Sequence, residues 1–301
     1  MHAVHVLPTQ RINDKKMKRL GLIGYPLEHS FSPAYFKEKF QREGLTDYHY
    51  EAFPLSSIEL LPEFLERHPD LCGFNVTIPY KEAIIPYLDE LDEAAAKIGA
   101  VNCVKIQRDT DKNDNCQLST INCQLTEKDY RLKGYNTDAP AFAHCLQEGW
   151  GLPNKKIIAG ADNAVKALVF GTGGAAKAVA YALRQLHIDF CFVSRSKQDE
   201  RTITYSDLIH NIQNNNHIDN KNMLKDCKLW INATPVGMYP HVEESLPLDF
   251  SVIGSEHYLF DLIYNPEETV FLRQGRLHGA LTQNGIAMLH EQAELSWNLF
   301  Q

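Results

Sequence analysis

The chain has 301 residues, 44% hydrophobic and 23% charged, with a formal net charge of −8. That length points to two domains, and acidic and basic residues mixed along the chain leave no electrostatic footprint for nucleic acid or an anionic membrane. Seven cysteines, at 72, 103, 116, 123, 145, 191 and 227, are odd in number and form no C-x-x-C pair, which argues for reduced thiols over a disulfide framework or a zinc site.

From the N-terminus, MHAVHVLPTQRINDKKMKRL has no sustained apolar core, and no 18-residue apolar run follows, so a cytoplasmic location is expected. The first 17 residues are expected to be disordered. KRLGLIGY (18–25) reads as a strand, and SPAYFKEKFQREG as a helix with Ser32 as N-cap and Pro33 at its first position. DYHYEAF is a strand, SIELLPEFLERH a helix and LCGFNVTI a strand. EAIIPYLDELDEAAAKIG reads as one helix and AVNCVKIQ as a strand. The polar stretch 108–133 reads as an extended hairpin or loop. TDAPAFAHCLQEG then resumes as a helix capped by Thr137 or Asp138, and Asn-rich 211–222 is a surface excursion. This alternation predicts an α/β protein with a mainly parallel sheet and helices on its faces. Thirteen histidines show neither H-x-x-x-H nor H-E-x-x-H spacing, so no metal site is expected.

KALVFGTGGAAKAVAYALRQLHIDFCFVSRS runs strand, glycine turn, helix, strand. Within it, Gly171-x-Gly173-x-x-Ala176 has the spacing of a dinucleotide fingerprint in the context that fingerprint requires. The first glycine permits a tight turn, and the second lets backbone approach a pyrophosphate. N–H groups at the new helix start then face the phosphates. An NAD site usually carries an acid at the end of the second strand. Here the sequence is Ser194-Arg195-Ser196-Lys197, whose cations and hydroxyls suit a 2′-phosphate, so NADP is favoured.

One lysine raises a different question. In GFNVTIPYK (73–81) a strand ends in small polar residues and a proline, then presents Lys81. Alone, Lys81 reads as a solvated surface residue. It is accompanied, in chain order, by HSFSP (29–33), GAVNC (99–103), GYNTD (134–138), NATPVGM (232–238), DLIYNP (261–266) and QNGIAMLHEQ (283–292). Together these segments resemble the shikimate dehydrogenase family over nearly the whole chain.

The resemblance implies a two-domain α/β enzyme that reduces 3-dehydroshikimate to shikimate with NADPH, on the route to chorismate and the aromatic amino acids. It carries the catalytic pair onto Lys81 and Asp138, and the substrate-carboxylate serines onto Ser30 and Ser32. Thr77, Asn102 and Gln292 match contacts to ring hydroxyls, while Asn75 and Tyr264 match positions lining the same pocket. Cofactor contacts are implied for Gly171, Gly173, Gly174, Ala175, Ser194, Arg195, Ser196, Lys197, Thr234, Met238 and Gly285. The chemistry is consistent with these roles. Hydride delivery to a ketone leaves an alkoxide that needs a proton, and a lysine ammonium held by a carboxylate can supply it. Each residue also has a structural reading: Ser30 and Ser32 as helix caps, Asn75 and Thr77 as turn formers, Asp138 as an N-cap, Gln292 as a surface amide.

The implied organisation places a substrate-binding domain at 1–137 plus 285–301 and a Rossmann-like NADP-binding domain at 138–284, with the active site in the cleft between them. The small-molecule substrate is the expected partner, and a monomer or homodimer the expected assembly. Three departures from the family pattern stand out: only nine residues follow Gln292, Ser-Arg-Ser replaces the frequent Asn-Arg-Thr, and 108–133 is long. A quinate/shikimate dehydrogenase using NAD or NADP would share nearly every motif. A folate-linked dehydrogenase would not need the serine pair, and a ligand-sensing relative would not need both Lys81 and Asp138.

Overall fold

The computed structural model describes residues 17–28, 30–108, 129–152, 166–210 and 220–301. The expected disorder of the N-terminal segment and most of the expected 108–133 and 211–222 excursions lie outside these residues.

Two six-stranded sheets organise the chain. In the first, β1 (Lys18–Gly24) pairs in parallel with β2 (Tyr48–Pro54) on one side and β3 (Leu71–Val76) on the other. β5 (Cys103–Arg108) runs antiparallel to β3, and β6 (Tyr130–Tyr135) antiparallel to β5. The short β4 (Glu90–Leu91) closes the order β2-β1-β3-β5-β6-β4. Thus this sheet is mixed, where strand–helix alternation alone predicts a mainly parallel one. β1 reads as a near-continuous apolar run because both of its faces are covered. On one side α2 (Leu61–Arg67) packs Phe64 and Leu65 against Ile23, Phe74 and Val104. On the other, α1 (Ser32–Glu43) and α9 (Ile286–Phe300) pack Phe36, Phe40, Trp297 and Phe300 against Leu20 and Leu22.

The second sheet is all parallel, in the order β12-β11-β10-β7-β8-β9. Its strands are β7 (Lys166–Phe170), β8 (Asp189–Ser194), β9 (Thr202–Thr204), β10 (Leu229–Asn232), β11 (Tyr258–Asp261) and β12 (Leu281–Gln283). Alternation along β7 divides the core. Ala167 and Val169 face α4 (Asp138–His144) and α5 (Gly174–Gln185), and Leu168 and Phe170 face α6 (Tyr205–His210), α7 (Asn220–Asp226) and α8 (Val270–Leu277). Strand order reverses between β7 and β10, where a doubly wound sheet opens its ligand crevice. Gly171 makes the turn out of β7 with φ +103°, and a Cβ there would lie 3.0 Å from the Ala233 carbonyl oxygen.

Three local expectations are corrected. Residues 82–99 do not form one helix. A turn follows Lys81, then a 3₁₀ turn at Ile85–Tyr87, β4, and α3 (Glu93–Ile98), capped by Asp92 accepting from Ala94 N at 3.0 Å. Pro86, lacking an N–H, falls in that break. Ser32 is not an N-cap: Phe31 occupies that position and no side chain caps α1. Neither Thr137 nor Asp138 caps α4 by its side chain. Instead Asn136 Oδ1 accepts from Ala139 N at 3.0 Å. Among the described residues, no helix is long and apolar enough to cross a membrane.

Candidate active site

β3 carries the chain into the site. Asn75 is its last polar side chain, buried among apolar neighbours, and beyond it Thr77 N donates to Ile23 O at 2.9 Å. The following turn is tied down on both sides. Tyr80 donates its phenol proton to Leu55 O at 2.6 Å, and Val101 N donates to Lys81 O at 2.7 Å. Lys81 is thereby delivered to a fixed place, where its Nζ lies 2.6 Å from Asp138 Oδ2. The carboxylate is 6% exposed and the lysine 18%, so the pair is shielded yet reachable on the ammonium side.

Asp138 is held from behind as well. Asn102, one residue before β5, donates through Nδ2 to Asp138 Oδ1 and to Thr137 Oγ1, both at 2.9 Å. Its Oδ1 accepts from Thr137 N at 2.7 Å. Gln292 Oε1, on α9, lies 3.5 Å from the same Asn102 amide. Asn75 spends its amide inside the protein: Nδ2 donates to Ser296 Oγ at 2.8 Å and to Asn102 O at 3.1 Å, while Oδ1 accepts from the Tyr50 phenol at 2.9 Å. Lys81, Asp138, Asn75, Asn102 and Gln292 are therefore brought into one connected cluster. Ser32 joins its edge through the buried Tyr50 hydroxyl, and Ser30 is two residues before it, half-buried. Tyr264 reaches this edge from the second sheet. Its ring meets Phe31 edge-on at 6.1 Å, and its phenol takes the Phe31 N–H.

The glycine turn abuts the cluster. A Cβ on Gly174 would sit 3.0 Å from Lys81 Cβ and 3.3 Å from Ala100 Cβ, so the first turn of α5 rests against the lysine stem. Gly173 instead faces open space, with nothing within 4 Å of an added Cβ. An open glycine at a helix start flanked by free N–H groups is the cradle a pyrophosphate requires, so the residues present fit a dinucleotide. Arg195, Ser196 and Lys197 are exposed at the end of β8, with Lys197 within electrostatic reach of the Asp207 carboxyl of α6. Ser194 is buried, its hydroxyl turned onto the Ser196 backbone. This group makes no described contact with Lys81 or Asp138 and forms a separate end of the site.

Two loops complete the crevice. Asn232, ending β10, accepts from Thr234 N at 3.0 Å and from Thr234 Oγ1 at 2.6 Å. It donates to Asp261 Oδ1, at the end of β11, at 3.0 Å. Asp261 also accepts from Ile263 N at 3.0 Å and Thr269 Oγ1 at 2.6 Å. No charge partner from the described residues bears on it, and burial pushes its carboxyl up to about 6. Met238 and Tyr264 ride on these two loops, with Met238 40% exposed. Gly285 is required where it stands, since a Cβ would fall 2.1 Å from Leu262 O.

The sequence reading missed Tyr50, Thr137, Ser296, Asn232 and Asp261. Three of them sit inside motifs it quoted: Thr137 in GYNTD, Asn232 opening NATPVGM and Asp261 opening DLIYNP. For Ser296 the only available signal was its position four residues after Gln292, on the same helix face.

A family model described as the shikimate dehydrogenase substrate binding domain matches residues 22–104. A shikimate dehydrogenase (NADP(+)) of Methanosphaera stadtmanae is 34% identical over 291 residues, 93% of this chain and 90% of that protein. This chain belongs to the shikimate dehydrogenase family. The crystal structure of shikimate 5-dehydrogenase from Thermus thermophilus, in complex with NADP(H) and shikimate, superposes with a TM-score of 0.72 at 30% identity. That match covers 95% of this chain and 94% of the other. Quinate dehydrogenase from Corynebacterium glutamicum in complex with NAD gives 0.70 at 26% identity, covering 95% and 94%. Within the shikimate dehydrogenase family pattern, the matched 22–104 region holds Ser30, Ser32, Asn75, Thr77, Lys81 and Asn102, whereas Asp138 and Gln292 come from outside it.

Proposed function

We infer that this chain is an NADP-dependent shikimate dehydrogenase that reduces the ketone of 3-dehydroshikimate to the alcohol of shikimate. The observation that carries the reading is the Lys81–Asp138 pair at 2.6 Å with Gly174 of the dinucleotide turn packed on the lysine stem. One contact surface thus joins a proton donor to a cofactor cradle.

The Gly171–Ala175 turn would hold the pyrophosphate of NADPH, and Thr234, Met238 and Gly285 would border the nicotinamide end. The exposed Arg195, Ser196 and Lys197 would meet the 2′-phosphate, with buried Ser194 fixing the turn behind them. Bound NADPH supplies the hydride. Lys81 donates the proton to the oxygen that gains charge as the ketone is reduced, and Asp138 keeps the ammonium aimed at that oxygen. Ser30 and Ser32 hold the substrate carboxylate with Tyr264 beside them, while Thr77 and Gln292 face its hydroxyls. Asn102, its amide protons spent on Thr137 and Asp138, lines the pocket from behind. Asn75, whose amide is fully engaged within the protein, braces the cluster from behind.

The division into a substrate domain (1–137 with 285–301) and an NADP domain (138–284) is supported by the two separate sheets and by α9 packing back onto the first. The enzyme acts in the cytoplasm as a monomer or homodimer. A quinate/shikimate dehydrogenase using NAD is the second reading, favoured by the similarity to quinate dehydrogenase. The serine pair and the exposed Arg195 support the first. NADPH oxidation with 3-dehydroshikimate, assayed beside quinate with NAD, decides between them. Turnover of quinate with NAD at a comparable kcat/KM would replace the first reading by the second.

A further inference from the structure

Ser296, on α9, is fully buried and has no role in the reading above, yet three elements meet on its hydroxyl. Its own proton goes to Gln292 O, one turn back, at 2.8 Å. The oxygen therefore serves as acceptor for the Asn75 amide at 2.8 Å and for the Thr137 hydroxyl at 3.1 Å. With the Thr137 proton spent on Ser296, Thr137 Oγ1 is free to accept from Asn102 Nδ2. The second Asn102 amide proton goes to Asp138 Oδ1, and the 3.5 Å approach to Gln292 is too long to compete with it. Thr137 N on Asn102 Oδ1 and the Tyr50 phenol on Asn75 Oδ1 prevent either amide from flipping. The buried Cys103 thiol of β5 also meets the Ser296 hydroxyl, and with both amides fixed the network holds one arrangement around Asp138 Oδ1.

We propose that Ser296 is a positioning residue for the Lys81–Asp138 pair. It acts through Thr137 and Asn102 to hold Asp138 Oδ1, so that Oδ2 alone faces the lysine. Ser296 lies behind the cluster and touches neither Lys81 nor the reacting atoms, which makes its effect one of orientation. The proposal rests on the dehydrogenase reading of the site.

The test is steady-state NADPH oxidation with 3-dehydroshikimate on the full chain carrying Ser296→Ala, with thermal melts alongside. The expected result is a kcat lower by about tenfold, as misorientation of a catalytic group produces, with KM for NADPH within about twofold. Thr137→Val breaks the same relay one bond nearer to Asp138 and is expected to lose a similar amount. In an Asp138→Ala background, Ser296→Ala should cost less than about twofold more, because the carboxylate it orients is gone. A variant that melts earlier but keeps kcat within twofold of the parent overturns the proposal, as does a loss of equal size in both backgrounds. Should Ser296→Ala fail to fold, Tyr50→Phe and Thr137→Val carry the comparison, since the ring at position 50 keeps its stack on Phe36 at 4.3 Å. Unchanged kcat in both would overturn it too. Failure of the dehydrogenase reading looks different: a parent chain that binds NADPH but does not oxidise it with 3-dehydroshikimate removes both.

Discussion

At position 81 the ammonium sits 2.6 Å from Asp138, while the stem lies against Gly174 and Ala100. Truncating it removes a proton donor while the buried core beneath stays filled. Lys81→Ala is therefore expected to lower kcat by ~10²–10⁴ with a modest change in KM. Turnover near the parent's would remove the general-acid role. The two serines separate along another axis. Because no side chain caps α1, Ser32→Ala should lose only the stability of the Ser32 hydrogen bond to the buried Tyr50 hydroxyl, ~0.5–1.5 kcal/mol, and none from a cap. Its effect should appear as a higher KM for substrate, each hydrogen bond to a carboxylate being worth ~1.5–3 kcal/mol, and Ser30→Ala should behave alike. A destabilised protein with unaltered shikimate affinity would contradict the carboxylate site.

Strand ends set the next level. β10 and β11 finish side by side on Asn232 and Asp261, and these two side chains organise the loops bearing Met238 and Tyr264. Asp261 is fully buried, and its folded pKa is raised from 3.8 to about 6. A carboxyl shifted upward binds its proton more tightly when folded, so its contribution is present below the unfolded pKa and is lost as pH rises through about 6. That shift corresponds to roughly 3 kcal/mol. The unfolding free energy of the parent minus that of Asp261→Asn should fall by about 2–3 kcal/mol between pH 4 and pH 7. Parallel stability curves across that window would mean the group titrates at its ordinary value.

Contacts between the two sheets give the chain its overall behaviour. Lys177 in α5 pairs with Glu82 beside the lysine, Gly174 rests on Lys81, and α4 packs against both α5 and α9. A ligand of the glycine turn should thus stabilise the whole chain. NADPH at a hundred times its Kd is expected to add about 2.7 kcal/mol to the unfolding free energy. Arg195 decides how much of that depends on the 2′-phosphate. Arg195→Ala should weaken NADPH by ~1.5–3 kcal/mol and leave NADH nearly unaffected, read from melts at matched ligand concentrations. Equal losses for the two nucleotides would assign Arg195 to adenine stacking or to the fold.

Strands β1, β2, β3, β5, β7 and β8, the glycine turn and the family motifs were legible in the chain, whereas β6 and β9–β12 were not legible as strands. Short apolar runs bounded by turn residues, and a glycine where φ must be positive, are local properties. The break of residues 82–98 into a turn, a strand and a short helix was not, since Leu88 and Leu91 pack beneath Gly134 of a distant strand and override the helical spacing. The caps went astray for a similar reason. The Thr137 hydroxyl, a cap by its local neighbours, is claimed by Ser296, and Asn136 caps the helix in its place. The sequence by itself determined the strand–helix alternation of the first half, the dinucleotide turn and which residue types reach the crevice. Tertiary structure alone decided which polar atom meets which, because that choice joins groups as far apart as Asn75 and Ser296, 221 positions along the chain, and burial makes each unmade bond costly.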